Sequence, residues 1–280
     1  MKADLHIHTH YSDGKLTPAD VARLALRAGA EIISVTDHDT ICGTAEAEKY
    51  CAEAGIKFVR GIEVSAYYGD VKIHTLGYGM DLENTVFKSF LKALKDGSIK
   101  RTEDIIFKLN RAGVALTFEE AAAERYSAET PLHAMHIAGA GAKKGYASSP
   151  FSFFTKYLAY GKPAFSSVCR PSPEETAQII TAAGGICSLA HPARIDLSAE
   201  EKIALIKRMK VCGLCGIEAV YSGHTAKETA YYKEIANTFG LMVTGGSDTH
   251  IAESNRQIGT PNFQPDSALL QKLGFDKKDI

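Results

Sequence analysis

The chain has 280 residues, 45% of them hydrophobic and 23% charged, with a formal net charge of −1. That length allows one large domain or a domain carrying a sizeable insertion; so balanced a charge does not call for a long nucleic acid held through its backbone, and leaves room for a small anionic substrate. No apolar run approaches the roughly 18 residues that span a bilayer, the first residues enter a strand rather than a signal-peptide apolar core, and the six scattered cysteines fit reduced thiols in a cytoplasmic protein.

In chain order, the first element is a strand over 3–8. In Leu5-His6-Ile7-His8 the side-chain period of two puts both histidines on one face and both aliphatics on the other. Two imidazoles at that spacing can reach one metal ion, and Asp13, in the polar loop that follows, can reach a neighbouring one. Thr17-Pro18-Ala19-Asp20 opens a helix with a cap, a proline at the first position and an acid in the first turn; Gly29 ends it. A buried strand over 31–36 runs into Asp37-His38-Asp39. A helix near 43–54, a strand near 57–65 carrying Glu63 and a strand over 71–78 containing His74 follow. The stretch 82–165 lacks this alternation and is predicted to hold helices at 84–96, 101–112, 118–125, 132–144 and 150–160. The alternation then returns. A helix over 173–184 leads to a strand over 185–190 ending at His191-Pro192. A helix near 199–211, a strand over 216–221 and a helix near 225–239 come next. A strand over 241–244 runs into Gly245-Gly246-Ser247-Asp248-Thr249-His250. Strands alternating with helices predict parallel βα units, here an α/β barrel from 1–81 and 166–280 interrupted by a helical insertion over 82–165.

The polar residues fall where strands end, His74 alone sitting within its strand. In α/β barrels the βα loops converge at the C-terminal face of the strands. His6, His8, Asp13, His38, Glu63, His74, His191, Asp248 and His250 are therefore expected at one mouth. Mixed imidazole and carboxylate ligands without thiolate suit Zn, Mn or Fe. Nine such residues exceed what one ion needs, so two or three divalent ions would share them, with a carboxylate such as Glu63 bridging. Cys212-Gly-Leu-Cys215 lacks the second pair a zinc ribbon needs and is taken as structural. Asp37 either orients a ligand imidazole or caps its loop.

His6-x-His8 with Ser12-Asp13-Gly14, Thr36-Asp37-His38, Glu63, Ala190-His191-Pro192 and Gly246-Ser247-Asp248-x-His250 together resemble the PHP (polymerase and histidinol phosphatase) family of metal-dependent phosphoesterases, across nearly the whole chain. The middle resembles one subgroup, small stand-alone enzymes with a helical insertion, through Met135-His136-Ile137-Ala138, Lys144-Gly145-Tyr146, Tyr157-Leu158 and Gly161-Lys162-Pro163-Ala164-Phe165. The resemblance implies a distorted barrel of seven βα units whose insertion covers the mouth. It implies three metal sites: His6, His8, Glu63 and Asp248; Glu63, His74 and His191; and Asp13, His38 and His250.

The function implied is hydrolysis of a phosphate ester on a nucleotide-like small molecule: a 3′,5′-nucleotide bisphosphate, a cyclic phosphodiester or the 5′ end of a short RNA. Histidinol phosphate is the alternative within the same chemistry, and a non-catalytic phosphate-binding module is the rival of another class. The expected nucleophile is a metal-bridging hydroxide, with His136 or His224 protonating the leaving oxygen. His136, His224, Arg170 and Arg194 are the expected substrate contacts; His10, His133 and Lys162 are expected to be peripheral. One position departs from the subgroup, where an arginine that meets substrate phosphate usually stands two residues before His136. Here it is Ala134, which cannot form a bidentate phosphate contact; His133 lies on the same helical face as His136.

Overall fold

A computed structural model describes residues 1–253 and 255–275. Seven strands, β1 (Ala3–Ile7), β2 (Ile32–Val35), β3 (Lys57–Tyr68), β4 (Val71–Tyr78), β5 (Ile186–Leu189), β6 (Leu214–Tyr221) and β7 (Met242–Gly246), form one sheet in the order of the chain. The helices are α1 (Pro18–Arg27), α2 (Thr44–Glu53), α3 (Thr85–Arg111), α4 (Phe118–Ala122), α5 (Ala134–Lys143), α6 (Pro150–Phe153), α7 (Pro173–Ala182), α8 (Ala199–Val211), α9 (Ala226–Phe239) and α10 (Ser267–Lys272). The sheet curls until its two edges meet. The Asp248 N–H donates to the His6 carbonyl at 2.7 Å, and the His8 N–H to the Thr249 carbonyl at 2.9 Å. Gly246 permits this approach, since a Cβ there would lie 2.5 Å from the His6 backbone nitrogen.

The α/β barrel expected from the alternation is present, and its distortion lies in one strand. β4 is antiparallel to both β3 and β5, while the other strands pair in parallel. Gly69 and Asp70 alone separate β3 from β4, enough for a hairpin and far too short for a crossover. The helices start where their caps dictate. Thr17, Ser198 and Thr225 each accept from the third helical backbone N–H and receive that residue's carboxylate in return, satisfying donors the helix leaves open.

The middle of the chain differs in detail from its sequence pattern. α3 is one helix of 27 residues where a break near Gly97-Ser98 was expected. Its first half supplies Phe87, Phe90 and Leu94 to the main core with Ile62, Ile73 and Ile180. Its second half joins Ile137, Phe153 and Leu158 through Ile105 and Leu109 in a separate apolar cluster. The helix expected over 150–160 is α6 followed by a π-helical turn at Phe154–Leu158. β3 runs to Tyr68, past its expected end, because it continues into the hairpin. α10 was not expected; it buries Leu269 and Leu270 beside Leu5 and Tyr78. No helix among the described residues is long and apolar enough to cross a membrane.

Candidate metal centre

Strand direction explains how distant residues meet. His6 is the penultimate residue of β1 and His8 follows the strand; His38, His191, Asp248 and His250 follow β2, β5 and β7. β4 enters the sheet from the mouth, so its early residue His74 also lies there, paired across the hairpin with Ser65. Asp39, His191 and Asp248, each just past a strand end, hold φ of 56°, 25° and 56°. Non-glycine residues in that region carry about 1–3 kcal/mol of strain each, and here they turn the chain so that its side chains face inward.

Glu63 sits at the middle. It is fully buried. Oε2 lies 3.2, 3.1 and 3.0 Å from ring nitrogens of His6, His8 and His38. Oε1 lies 2.8 and 3.1 Å from those of His74 and His191. Yet Oε2 accepts no hydrogen bond of proper geometry, nor does Asp13 Oδ1, which stands 3.2 Å from His250 Nε2 and 3.9 Å from His38 Nε2. His6 Nε2 and His8 Nε2 face each other at 3.1 Å, and Asp248 Oδ1 is 3.5 and 3.2 Å from them. Donors about 2.1 Å from a common ion would stand roughly 3.0–3.4 Å apart in octahedral or tetrahedral geometry. These residues fit divalent ions better than they fit one another. The groups able to hold an ion are His6, His8, Glu63 and Asp248; His38, Glu63 and His74; and His8, Asp13, His38 and His250. His191 adjoins the second, 3.2 Å from His74.

Burial opposes charge on every member, and the neighbours decide which prevails. Burial would raise Glu63, Asp13 and Asp248, but the surrounding imidazoles hold all three carboxyls well below their ordinary values. Burial would lower His6 and His8, but Glu218, Glu63 and Asp248 push His6 well up, and Asp248 and Glu63 push His8 to about 10. For His74 burial prevails and takes it down to about 3; His38 is likewise driven down.

Several residues behind the cluster have no counterpart in the sequence reading. Glu218 Oε1 meets His6 Nδ1 at 2.9 Å, and Oε2 accepts the His191 backbone N–H at 2.7 Å. The sequence signal was a lone charge inside an apolar strand, Gly216-Ile217-Glu218-Ala219-Val220. Asp248 Oδ2 accepts from the Tyr221 hydroxyl at 2.8 Å and from Arg256 at 2.6 Å. Asp37 accepts from Thr9 N, Thr9 Oγ1 and Ser12 Oγ, so it caps its loop.

The expected substrate contacts separate. Arg170 and Arg194 line a cavity of about 380 Å³ with Asp13, His38, His133 and Ala134. Arg194 donates to Tyr221 and Asp248 at its edge. His136 is not free to act: its Nδ1 accepts the His133 backbone N–H and its Nε2 donates to the Ser12 carbonyl, both at 3.0 Å. The structure does not bring His224 to the cluster either. Its Nδ1 faces the Ala219 carbonyl, its ring packs on Tyr221 and Tyr232, and it lines a different depression with Ser222 and Lys233. His133, expected to be peripheral, borders the cavity 5.8 Å from His38, and its buried Nε2 has no partner.

An α/β barrel with clustered imidazoles and carboxylates at the strand ends defines a metal-dependent hydrolase. The PHP domain model matches residues 4–237, and the chain belongs to that family. It is 33% identical over 260 residues to the 3′,5′-nucleoside bisphosphate phosphatase of Chromobacterium violaceum, covering 91% of this chain and 90% of that one. It is 32% identical over 249 residues to a 5′-3′ exoribonuclease of Haemophilus influenzae, covering 89% and 90%. Among solved structures it is similar to a Chromobacterium violaceum protein titled an amidohydrolase with bound sulfate and no metal, at TM-score 0.86, 30% identity and 98% and 97% coverage. It is also similar to a Bifidobacterium adolescentis structure whose title assigns it to the metal-dependent phosphoesterases, at TM-score 0.85, 26% identity and 99% and 98% coverage.

Proposed function

We propose that this chain hydrolyses a phosphate ester of a nucleotide-like small molecule, with two or three divalent ions of Mn, Fe or Zn held by His6, His8, Asp13, His38, Glu63, His74, His191, Asp248 and His250. The observation that carries the reading is one fully buried carboxylate, Glu63, within 3.2 Å of five imidazoles. When bound, such ions neutralise phosphoryl charge and acidify water. The chain's own residues prepare the ligands. Glu218 meets His6 Nδ1 and so turns Nε2 toward Glu63 and Asp248, where it would be the nitrogen that takes an ion. Tyr221 and Arg256 hold one oxygen of Asp248 and leave the other turned to His6 and His8. Asp37 and His136 fix the Thr9–Ser12 loop that presents Asp13. His133 takes over from His136 and His224 as the partner of the leaving oxygen, because its Nε2 is unengaged at the cavity wall. The helical segment 82–165 acts as the insertion that roofs this cavity through His133, Phe154 and Tyr160. Six free cysteines support a cytoplasmic location.

The test is phosphate release by the Mn-loaded protein from adenosine 3′,5′-bisphosphate, a cyclic nucleotide, a short 5′-phosphorylated RNA and histidinol phosphate. Turnover of a nucleotide ester is expected. Absence of turnover on all four, with metal content confirmed, would overturn the reading.

A further inference from the structure

The barrel closes through a side chain. β1 and β7 are not neighbours in the hydrogen-bonded strand order, and an isolated bridge joins Ile7 to Thr249 instead. Beside that bridge Asp4 fills the seam, only 1% exposed. Its Oδ1 accepts the His6 N–H at 3.3 Å and the Ser247 N–H at 2.9 Å, and its Oδ2 accepts the Gly259 N–H at 2.8 Å. Main-chain donors from β1, from the residue after β7 and from the loop beyond thus converge on one carboxylate. A side-chain oxygen stands where a regular ladder would place a main-chain carbonyl. A buried N–H left without an acceptor is costly, so without this carboxylate the two edges would settle elsewhere.

The seam is also where candidate ligands meet. His6 donates its N–H to Asp4, and its carbonyl accepts the Asp248 N–H at 2.7 Å. Only glycine fits at 246, since a Cβ there would stand 3.0 Å from Asp4 Oδ1 and 2.5 Å from His6 Cβ. The loop that brings the Gly259 N–H to Asp4 also carries Arg256, which donates to Asp248 Oδ2 at 2.6 Å. Asp4 therefore fixes the height of His6, the start of the segment 247–250 and the end of the Arg256 loop together. Asp4 itself belongs to none of the groups able to hold an ion. Its influence on an ion depends on whether the ligands lie on both edges. They do for His6, His8, Glu63 and Asp248, and for His8, Asp13, His38 and His250. The group of His38, Glu63 and His74 takes nothing from either edge.

We infer that Asp4 is a positioning residue of the metal centre. It sets the register in which β1 presents His6 and His8 to Asp248 and His250. It thereby governs the two ion sites that span the seam and spares the one that does not. The inference rests on the reading of the cluster as a metal centre and is independent of which ester is cleaved.

The test counts and titrates ions in the full-length protein. Mn is added to chelator-treated wild type, Asp4→Asn, Asp4→Glu and Leu205→Ala; native mass spectrometry gives ions per chain and chelator competition gives affinity. Asp4→Asn keeps the size of the side chain but turns one acceptor into a donor that faces a backbone N–H. It should lose at least one ion at the Mn concentration that fills the wild type, or bind it about 10–100-fold more weakly. Adding His74→Ala to Asp4→Asn should remove the ion that remains. Leu205→Ala opens a cavity on α8 in the main core, outside the seam, and should keep the wild-type count despite a lower Tm. Asp4→Glu keeps the charge but displaces it by one methylene, and should not restore the lost ion. Where Asp4→Asn fails to fold by circular dichroism, Asp4→Ser, which leaves room for a water at the donors, is read in its place. Restoration by Asp4→Glu, a wild-type ion count in folded Asp4→Asn, or an equal loss in Leu205→Ala would each overturn the positioning role. A wild type that binds no Mn would overturn the metal-centre reading and this role with it. Selective ion loss in Asp4→Asn, with no ester turned over by the wild type, would keep the role and overturn the phosphoesterase reading.

Discussion

At the scale of single residues, Glu63 is the side chain whose loss should cost most. Glu63→Gln keeps its volume but removes the charge that five imidazoles surround. Activity is expected to fall by about 10³-fold or more, the equivalent of several kcal/mol. Bound metal, measured by mass spectrometry, should drop by at least one ion per chain; unchanged metal content would argue against bridging. Glu218→Gln should weaken metal affinity by about 10–100-fold through misorientation of His6, which a competition titration with a chelator reads. Eight of the nine clustered residues were legible because strand period and strand ends place them without tertiary knowledge; His74, inside β4, was not placed that way. Glu218 was not, because its partner His6 is 212 residues away. Nor could the sequence rank His133, His136 and His224. An imidazole's availability depends on what faces its two nitrogens, and helical spacing does not report that the Ser12 carbonyl and the His133 N–H occupy both nitrogens of His136.

Among elements, α3 carries the sharpest consequence. Its helical character was visible, yet Gly97 resembled a break, and the Asn84 cap emerged only in the fold. A glycine inside a helix signals either a stop or a close neighbour, and only the fold shows that Cys169 is that neighbour, its carbonyl oxygen 2.5 Å from where a Cβ would stand. Gly97→Val is expected to overpack this contact and to cost about 1–3 kcal/mol, a fall of several degrees in Tm by calorimetry. If Tm is unchanged, the contact is looser than the geometry implies. The β3–β4 hairpin was equally illegible as to direction: two strands in succession were plain, but that β4 reverses follows from the two-residue connection. That reversal puts His74 at the mouth while leaving it inside a strand.

For the whole molecule, the pKa shifts fix how stability should vary with pH. Glu63, Asp13 and Asp248 are depressed, so their contribution is present above the unfolded carboxylate range near about pH 4 and is lost as pH falls. His6 and His8 are raised, so their contribution is full below about pH 6.5 and is lost as pH rises through the folded values, which for His8 is about 10. The Tm of chelator-treated protein should therefore peak in mildly acidic solution and decline on either side. Divalent ions compete with protons for the same nitrogens, so the Tm gained on adding Mn should increase from about pH 6 to 8; a gain that shrinks with pH would count against the assigned ligands. The edge-to-edge closure of the barrel also bears on synthesis. His6 leaves the ribosome 241 residues before Ser247, and Asp248 and His250 come later still. A chain stopped early carries the histidines of β1 without the partners that complete their ligand set. Such a fragment cannot assemble the centre, so catalytic competence is withheld from every product of translation that stops before His250.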